Sequence, residues 1–235
     1  MKSGSTPPSP HGDEAKGETP RPTTGAREAE AEPIVYVVDD DPSVRRAVSR
    51  LIRSVGLLVE TFATAQAFLD SPPRDQPACL VLDVRLPGAS GLDLQSALRE
   101  AGRPLPNVFI TAHGSVSTSV RAMKGGAVDF LQKPFNDQEL LDSIQRALVT
   151  SRRQRAEQAE HAELAERHAL LTAREREVLR LVVAGLLNKQ IAGELGIAEK
   201  TIKVHRARVM DKMQVATVPD LVRLAEKLGL RPPKP

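Results

Sequence analysis

The sequence is short of cysteine and of aromatic residues, and these shortages exclude several classes of protein. Among its 235 residues there is one cysteine, Cys79, which excludes an internal disulfide framework and a zinc site built on several thiolates. Five Phe, one Tyr and no Trp argue against a surface that stacks on unpaired bases. With 40% hydrophobic residues the chain can still form packed cores, and its length favours two ordinary domains.

Long apolar runs are also missing. No run approaches the ~18 residues that a membrane-spanning helix needs, and the first ten residues, MKSGSTPPSP, lack the apolar stretch of a signal peptide. We therefore expect a cytoplasmic protein without a membrane partner.

The formal net charge of +3 conceals an uneven distribution along the chain. Counted by segment, the net charge is −2 over 1–33, −1 over 34–149, 0 over 150–169 and +6 over 170–235. Because the basic excess lies entirely at the carboxy-terminal end, we expect that end alone to bind a polyanion.

The first part of the chain divides into a leader and an α/β domain. Residues 1–33 are rich in Pro, Ser, Thr, Gly and Glu, which predicts a disordered leader. Short apolar runs at 34–38, 58–62, 79–82, 108–111 and 128–131 then alternate with amphipathic stretches at 43–55, 64–69, 91–101, 115–124 and from 137 onward. This alternation predicts an α/β domain over 34–149, with a doubly wound, five-stranded parallel sheet of the flavodoxin-like kind.

The segment 150–169 separates this domain from the basic end. It is dominated by Ala, Glu and Arg, which predicts an exposed helical linker that continues the preceding helix. A short coiled coil through Ile144, Leu148, Ala159 and Ala162 is an alternative, although these side chains would make weak contacts.

The basic end has the pattern of a small helical domain. Thr172 and Glu175 have capping-box spacing at the start of a first helix, and further helices are predicted at 188–195, 198–212 and 218–228. The second and third are separated only by a short turn at Gly196. This spacing predicts an all-α, four-helix domain with a helix-turn-helix over 170–230, followed by a tail over 231–235.

Polar side chains follow four of the five predicted strands: Asp39, Asp40 and Asp41 after the first, Asp83 after the third, Thr111 at the end of the fourth and Lys133 after the fifth. Parallel strands end at one edge of a sheet, where α/β proteins bind ligands, so these side chains should converge. Crowded carboxylates are kept ionised together by a divalent cation, and Mg²⁺ suits such ligands. With a lysine and a hydroxyl nearby, one aspartate is left free to attack phosphorus, which is the chemistry of an aspartyl phosphate.

Each of these residues also has an ordinary structural interpretation. An acidic run is commonly a solvated loop, and Asp41-Pro42-Ser43 could simply begin a helix. A single Thr or Lys at the end of a strand is more often structural. It is their joint placement at four strand ends that favours a site.

Four segments of the α/β domain resemble the receiver domains of two-component response regulators: IVYVVDDDPSVRRAV, CLVLDVRLPGASGLDL, VFITAHGS and GAVDFLQKPF. The resemblance implies that Asp83 is the phosphoacceptor and that Thr111 and Lys133 contact the phosphoryl group. It implies that Asp39 and Asp40 are the metal-binding pair, with Arg85 as a further metal ligand through its backbone carbonyl. It further implies that Phe130 is a switch residue that moves with Thr111. It also implies a cis Lys133–Pro134 bond.

The third helix of the basic domain has two distinct faces. On a helix over 198–212, Ile202, Val209 and Met213 share one face, while five residues share another: Lys200, Lys203, Val204, Ala207 and Arg208. A basic helix after a glycine turn suits the major groove of double-stranded DNA, although a solvated face on an ordinary bundle is the alternative.

The basic domain resembles the LuxR-type helix-turn-helix through LTAREREVLRLVVAG and NKQIAGELGIAEKTIKVHRARVMDKM, and the two domains together resemble the NarL/FixJ class of response regulators, FixJ-like members in particular. This resemblance implies DNA contacts by Lys200, Thr201, Lys203, Val204 and Arg208, and backbone contacts by Asn188 and Lys189. Ala207 departs from relatives that have a basic residue there. In FixJ-like receivers, the positions of Val120 and Lys124 lie on a dimer surface formed on phosphorylation.

The combined prediction is a phosphorylation-activated transcription regulator that is not an enzyme. Its implied partners are a sensor histidine kinase, a second copy of the chain, promoter DNA and RNA polymerase. Asp39-x-Asp41-x-Ser43 also resembles the nucleophile motif of haloacid-dehalogenase-type phosphatases, but that motif leaves Asp83 and Lys133 unexplained. A DNA-binding protein with a vestigial receiver is a second alternative, against which the complete acidic site argues.

Overall fold

The computed structural model describes Met1 and residues 31–230. The predicted leader over 1–33 lies outside the described residues except at its two ends, and the predicted tail over 231–235 lies outside them altogether.

Residues 31–230 form strands and helices in the order β1 (Ile34–Val38), α1 (Pro42–Ser54), β2 (Leu58–Phe62), α2 (Ala65–Leu69), β3 (Ala78–Asp83), α3 (Gly91–Glu100), β4 (Asn107–Thr111), α4 (Val116–Lys124), β5 (Asp129–Gln132), α5 (Asp137–Ala169), α6 (Ala173–Val183), α7 (Asn188–Leu195), α8 (Glu199–Lys212) and α9 (Val218–Lys227). Strands β1 and β2 have the predicted bounds, whereas β3 is one residue longer at each end and β5 begins and ends one residue later than predicted.

The five strands form one parallel sheet in the order β2-β1-β3-β4-β5, which confirms the predicted doubly wound fold. Val38 at the end of β1 is paired with Leu82 near the end of β3. Asp39 and Asp83 come directly after these two residues, so the register places their carboxylates side by side at the carboxyl edge of the sheet.

The two faces of the sheet bury separate cores, as expected for a parallel sheet covered on both sides. Tyr36 of β1 points to a core completed by α2, α3 and α4, with Phe68 and Leu94 among its members. Val35, its neighbour, points to the opposite core, which α1 and α5 complete through residues such as Ile52. The strands that carry the polar residues of the carboxyl edge are thus packed on both faces.

Helix α5 is 33 residues long and continues without a break from the α/β domain through the predicted linker. Ile144 and Leu148 are buried in the core between α5 and the sheet, whereas Ala159 and Ala162 are exposed. These four side chains therefore do not line one apolar seam, and the coiled-coil alternative through them is wrong for the chain as described.

Helices α6 to α9 enclose a third core, which includes Val178, Ile191, Ile202 and Leu221. The predicted capping box is present: the Thr172 hydroxyl accepts from the Glu175 backbone N–H, and the Glu175 carboxylate accepts from the Thr172 N–H. Gly196 ends α7 with φ of 66°, a left-handed conformation that glycine adopts without steric cost and that allows the tight turn into α8. None of the described helices combines the length and apolar character needed to span a membrane.

Candidate functional site

The carboxyl edge of the sheet brings together Asp39, Asp40, Asp83 and Lys133, as the sequence predicts. One side-chain oxygen from each of the three aspartates lies within 4.8 Å of the others. The Lys133 Nζ donates to Asp39 Oδ2 at 2.6 Å and to Asp83 Oδ2 at 2.8 Å. Asp39 and Asp83 are buried and Asp40 is exposed, so the cluster is open to solvent on the Asp40 side.

Electrostatics in this cluster favour a protonated lysine and a further cation. Burial alone would lower the pKa of Lys133, but its hydrogen bonds to Asp39 and Asp83 outweigh burial and raise that pKa above its usual value. Burial raises the pKa of Asp39 in spite of the bond from Lys133. The bond from Lys133 therefore does not fully offset the burial of Asp39, and a divalent cation next to this carboxylate would favour its ionised form.

Asp41 has a different role from the two aspartates before it. Its exposed carboxylate caps α1 by accepting from the Ser43 backbone N–H at 2.7 Å, and the Ser43 hydroxyl also donates to it. These hydrogen bonds lower the pKa of Asp41 below its usual value. The ordinary interpretation of Asp41-Pro42-Ser43 as the start of a helix is thus confirmed, and Asp41 lies outside the carboxylate cluster.

Arg45 supports the acidic loop, a role that sequence reasoning missed. Its guanidinium Nη1 donates to the backbone carbonyls of Asp39 at 2.6 Å and Asp40 at 2.9 Å. This clamp fixes the backbone of the loop without engaging either carboxylate. The position of a basic residue one turn into the helix that follows an acidic loop could have indicated this contact.

The backbone of Arg85 also contacts the site. Its N–H donates to Asp83 Oδ1 at 3.0 Å, while its side chain is exposed. The predicted metal contact through the Arg85 carbonyl stays a prediction.

Thr111 and Phe130 meet beside Gly114. Thr111 is buried and its hydroxyl accepts from the His113 N–H at 3.2 Å, while Phe130 is half-buried with its ring centroid 6.2 Å from that of Phe109. A Cβ added at Gly114 would lie 3.0 Å from Phe130 Cε1 and 3.4 Å from Thr111 Cγ2. The glycine therefore provides the space in which these two side chains pack.

Replacing Gly114 with Ala is expected to destabilise the chain by about 1–3 kcal/mol, because the added methyl forces Phe130 or Thr111 from its position. Urea unfolding measures the change. Gly193→Ala is the control: a Cβ there meets nothing within 4 Å, so a neutral or slightly stabilising effect is expected. Equal stabilities of the Gly114 variant and the parent chain would contradict this packing.

Helix α8 presents the predicted basic face to solvent. The five predicted DNA contacts of this helix and Ala207 are all exposed: Lys200, Thr201, Lys203, Val204, Ala207 and Arg208. The opposite face is buried in the helical core through Ile202, Val209 and Met213, as predicted. Of the two residues expected near the DNA backbone, Lys189 is exposed and Asn188 is half-buried at the start of α7.

Two arginines brace the helix-turn-helix, and neither role was predicted. Arg206 Nη1 donates to Asn188 Oδ1 at 2.7 Å, which ties α8 to the start of α7. Arg174 Nη2 donates to the Leu195 carbonyl at 2.7 Å near the end of α7. The first bond engages the Arg206 guanidinium within the protein, and it orients the Asn188 amide.

Glu175 joins the beginning of α6 to the end of α8. Its buried carboxylate accepts from Lys212 Nζ at 2.6 Å, and the same ammonium donates to the Leu170 carbonyl at 3.1 Å. The hydrogen bonds from Lys212 and from the Thr172 N–H lower the pKa of Glu175 to about 2.

Replacing Glu175 with Gln should therefore destabilise the helical domain by about 2–3 kcal/mol at neutral pH. Because the folded pKa lies below the ordinary value of 4.5, the stabilisation is complete above pH 4.5 and is lost as the pH falls toward 2. Chemical unfolding from pH 7 to pH 3 should show the variant and the parent chain converging. Glu226→Gln, at an exposed site, is the control, and a pH-independent difference at Glu175 would refute the linkage.

The side chains of Cys79 and His113 have no role in these sites. Cys79 is fully buried in β3, and burial raises the pKa of its thiol far above the usual value, which leaves it unreactive. His113 is exposed in the loop after β4.

Two family models match the chain. The response regulator receiver domain matches residues 35–145, and the luxR family of bacterial regulatory proteins matches residues 169–225. The first covers the sheet with its acidic edge, and the second covers the helix-turn-helix.

Similar proteins contain both parts. Nodulation protein W of Bradyrhizobium diazoefficiens is 50% identical over 206 residues, which cover 88% of this chain and 91% of that protein. Response regulator protein TodT of Pseudomonas putida is 47% identical over 195 residues, which cover 83% of this chain and 86% of that protein. Transcriptional regulatory protein FixJ of Azorhizobium caulinodans is 43% identical over 198 residues, covering 84% and 94%.

Solved structures agree with this relationship. The response regulator StyR has a TM-score of 0.74 at 50% identity, covering 84% of this chain and all of that one. Full-length FixJ from B. japonicum has a TM-score of 0.51 at 42% identity, and the match covers 84% of this chain and 98% of that one.

The fold and the matches define a receiver domain joined to a luxR-type DNA-binding domain. The chain belongs to the two-component response regulators of the NarL/FixJ class. It is a DNA-binding transcription regulator and not an enzyme, so the phosphatase alternative is wrong. A receiver domain implies a sensor kinase as partner, and the luxR-type domain implies DNA.

Proposed function

We propose that the chain accepts a phosphoryl group on Asp83 from a sensor histidine kinase, dimerises through its receiver domain and then binds promoter DNA more tightly. The observation that carries this proposal is the contact of Lys133 Nζ with both Asp39 and Asp83 at the carboxyl edge of the sheet. It pairs a nucleophile with a fixed positive charge in an acidic cluster that opens to solvent.

The chemistry proposed for Asp83 is attack of a carboxylate oxygen on phosphorus. An O–P bond forms to Asp83 while the P–N bond to the kinase histidine breaks, and the electron pair of that bond returns to the imidazole. Lys133, 2.8 Å from Asp83, would neutralise charge on the phosphoryl oxygens. The Thr111 hydroxyl, at the end of the neighbouring strand, is proposed to contact the same group.

The residues proposed to hold Mg²⁺ are Asp39, Asp40 and Asp83, with the backbone carbonyl of Arg85. Three carboxylates within 4.8 Å of one another fit a small, hard cation that takes oxygen ligands and keeps several waters. When bound, Mg²⁺ neutralises charge on the carboxylates and the phosphoryl oxygens. Arg45 holds the backbone of the acidic loop in place for this purpose.

The proposed switch is the pair Thr111 and Phe130. A phosphoryl group adds about −1.5 to −2 charge beside Thr111, which favours a packing in which the threonine moves toward the phosphoryl group and Phe130 turns inward. Gly114, against which both side chains pack, lies two residues before α4 begins. A change at this point would therefore alter the surface of α4.

Helix α4 presents the apolar surface proposed for dimerisation. Three large apolar residues of this nine-residue helix are exposed to solvent. Their exposed fractions are 82% for Val116, 45% for Val120 and 47% for Met123. Their spacing places them along one side of the helix, with Lys124 next to them. An exposed apolar stripe of this kind supports a contact with a second copy of the chain.

Replacing Val120 with Asp should prevent the phosphorylation-dependent dimer, because two buried carboxylates would face each other across a twofold axis. Sedimentation velocity with and without Mg²⁺ and a small-molecule phosphodonor measures the monomer–dimer equilibrium. Val55→Asp, at another exposed valine, is the control and should dimerise as the parent chain does. A Val120 variant that still dimerises would exclude this surface.

DNA contacts are proposed for two sets of residues. The exposed face of α8 would enter the major groove with Lys200, Thr201, Lys203, Val204 and Arg208, while Asn188 and Lys189 would contact the DNA backbone. A twofold dimer would read half-sites about one helical turn, or roughly 10 base pairs, apart. RNA polymerase at the promoter is a further proposed partner, and the cytoplasm, where the chromosome lies, is the proposed location.

The proposed domain boundaries are 34–149 for the receiver, 150–169 for the linker and 170–230 for the DNA-binding domain. The linker part of α5 contacts both of its neighbours: Arg155 pairs with Asp75 before β3, and Glu160 pairs with Lys227 of α9.

A further inference from the structure

A cavity of about 230 Å³ lies at the amino-terminal edge of the sheet, opposite the edge that carries Asp83. Its walls are the loop before β3, the loop before β4 and the part of α5 that leaves the receiver core. None of the residues assigned to phosphorylation, dimerisation or DNA binding lines it.

The charge of this cavity is positive. Three arginines line it, Arg74, Arg103 and Arg155, and no aspartate or glutamate does. Arg74 pairs with Glu60 at 3.0 Å, and Arg155 pairs with Asp75. Among the residues that the structure describes, Arg103 has no carboxylate partner. Because Arg103 is also exposed, it is the cation best able to pair with a bound anion.

One buried hydrogen-bond donor in the lining of the cavity has no partner. The side-chain Nε2 of Gln76 is buried and has no hydrogen-bond partner within the described residues. Burial raises the pKa of the Tyr36 hydroxyl, and the charge of Glu60 adds to this rise against the opposing charges of Arg74 and Arg103, so the hydroxyl stays protonated. An unpaired buried donor of this kind favours an occupant that accepts hydrogen bonds.

The floor of the cavity is apolar and partly aromatic. Tyr36 is 7% exposed and packs edge-on against Phe68, with ring centroids 5.3 Å apart, and Leu98 and Leu105 lie beside them. An apolar cavity of about 150 Å³ is large enough for benzene, so the present volume accommodates one six-membered ring together with an anionic group. Aliphatic and aromatic walls with a few convergent polar groups are typical of small-molecule sites.

The position of the cavity would couple an occupant to the linker. Gln154, Arg155 and Gln158 belong to α5 beyond the receiver core, yet they line the same cavity as the two loops. The same junction already has a buried bond in which the Ala78 N–H donates to the Ser151 hydroxyl at 3.0 Å, and it has the ion pair of Arg155 with Asp75. An occupant would therefore add contacts between the receiver and the linker helix.

We propose that this cavity binds a small planar anion of the aromatic monocarboxylate class. The carboxylate pairs with Arg103, and the ring lies against Tyr36 and the neighbouring leucines. Binding requires neither phosphorylation of Asp83 nor DNA, so the site would serve as a second, chemical input to the regulator.

The test is a titration of the ¹⁵N-labelled full chain with benzoate, followed by backbone amide NMR shifts. Benzoate should give saturable shifts at millimolar concentration in three segments, 71–76, 102–105 and 151–158. Benzamide, which has the same shape without the charge, should bind at least about tenfold more weakly. Inorganic phosphate, which has the charge without the ring, should also bind at least about tenfold more weakly than benzoate.

Three variants locate the site. Arg103→Gln should weaken benzoate binding at least about tenfold, Tyr36→Phe should weaken it less, and Arg99→Gln, an exposed arginine of α3 outside the cavity, should leave it unchanged. Arg103 is exposed, so its variant should retain the fold of the parent chain in circular dichroism. The proposal is overturned if benzoate gives no saturable shifts, if benzamide or phosphate binds equally well, or if Arg99→Gln has the same effect as Arg103→Gln.

Discussion

Asp83→Asn is expected to abolish phosphorylation of the chain. Asparagine keeps the size of the side chain but removes the nucleophilic oxygen that would attack phosphorus. It also removes one of the three carboxylates proposed to hold Mg²⁺. Incubation with Mg²⁺ and a small-molecule phosphodonor, followed by phosphate-affinity electrophoresis, should show a retarded band for the parent chain and none for the variant.

The loss should come from chemistry and not from unfolding. Lys133 keeps its 2.6 Å bond to Asp39 in the variant, and the asparagine carbonyl can still accept from the lysine. Removing one of two buried carboxylates also lessens their mutual repulsion. Asp70→Asn, at an exposed aspartate after α2, is the matched control and should be phosphorylated normally. A retarded band of undiminished intensity from Asp83→Asn would place the phosphoacceptor elsewhere.

Lys203→Ala is expected to weaken operator binding by about 1–3 kcal/mol, or roughly 5-fold to 150-fold, if the lysine contacts a base. In the structure Lys203 is exposed, and its nearest carboxylate is that of Glu199 at 3.8 Å on the same helix. An exposed pair at this distance contributes little, so the ammonium is available to DNA. Gel-shift titration at fixed salt gives the dissociation constant.

The comparison with non-specific DNA distinguishes a base contact from a phosphate contact. A lysine that reads a base should lose affinity for the operator and little for a scrambled duplex, whereas a phosphate contact weakens both equally. Arg180→Ala, on the exposed side of α6, removes the same charge away from the proposed interface and serves as the control. Unchanged operator binding by Lys203→Ala would remove this residue from the set of DNA contacts.

The sheet could be predicted because its signals are local. Apolar runs of four or five residues separated by amphipathic stretches define parallel strands and crossover helices, and the polar residues at the strand ends then share one edge. This reasoning alone predicts that three distant residues meet: Asp39, Asp83 and Lys133. Asp83 lies 44 residues after Asp39, and Lys133 lies 50 residues after Asp83. The capping box of Thr172 and Glu175 was predictable for the same reason, since it depends on spacing within one turn.

The contacts that sequence reasoning missed are those that depend on tertiary packing. Arg206 reaches Asn188 on another helix, and Lys212 reaches Glu175 from 37 residues away. Such pairs have no fixed spacing, and an arginine on a basic helix is as easily assigned to DNA as to a neighbouring side chain. The coiled-coil alternative was wrong for a related reason, because Ile144 and Leu148 are used by the receiver core.

Activation of DNA binding through Asp83 is measured by the dependence of operator affinity on the phosphodonor. Gel-shift titrations of the parent chain and of Asp83→Asn, each with Mg²⁺ and with or without the phosphodonor, give four dissociation constants. We expect the phosphodonor to tighten operator binding by the parent chain and to leave the affinity of Asp83→Asn at the unphosphorylated value. Equal affinities in all four titrations would contradict this expectation and would favour a DNA-binding protein whose receiver is vestigial.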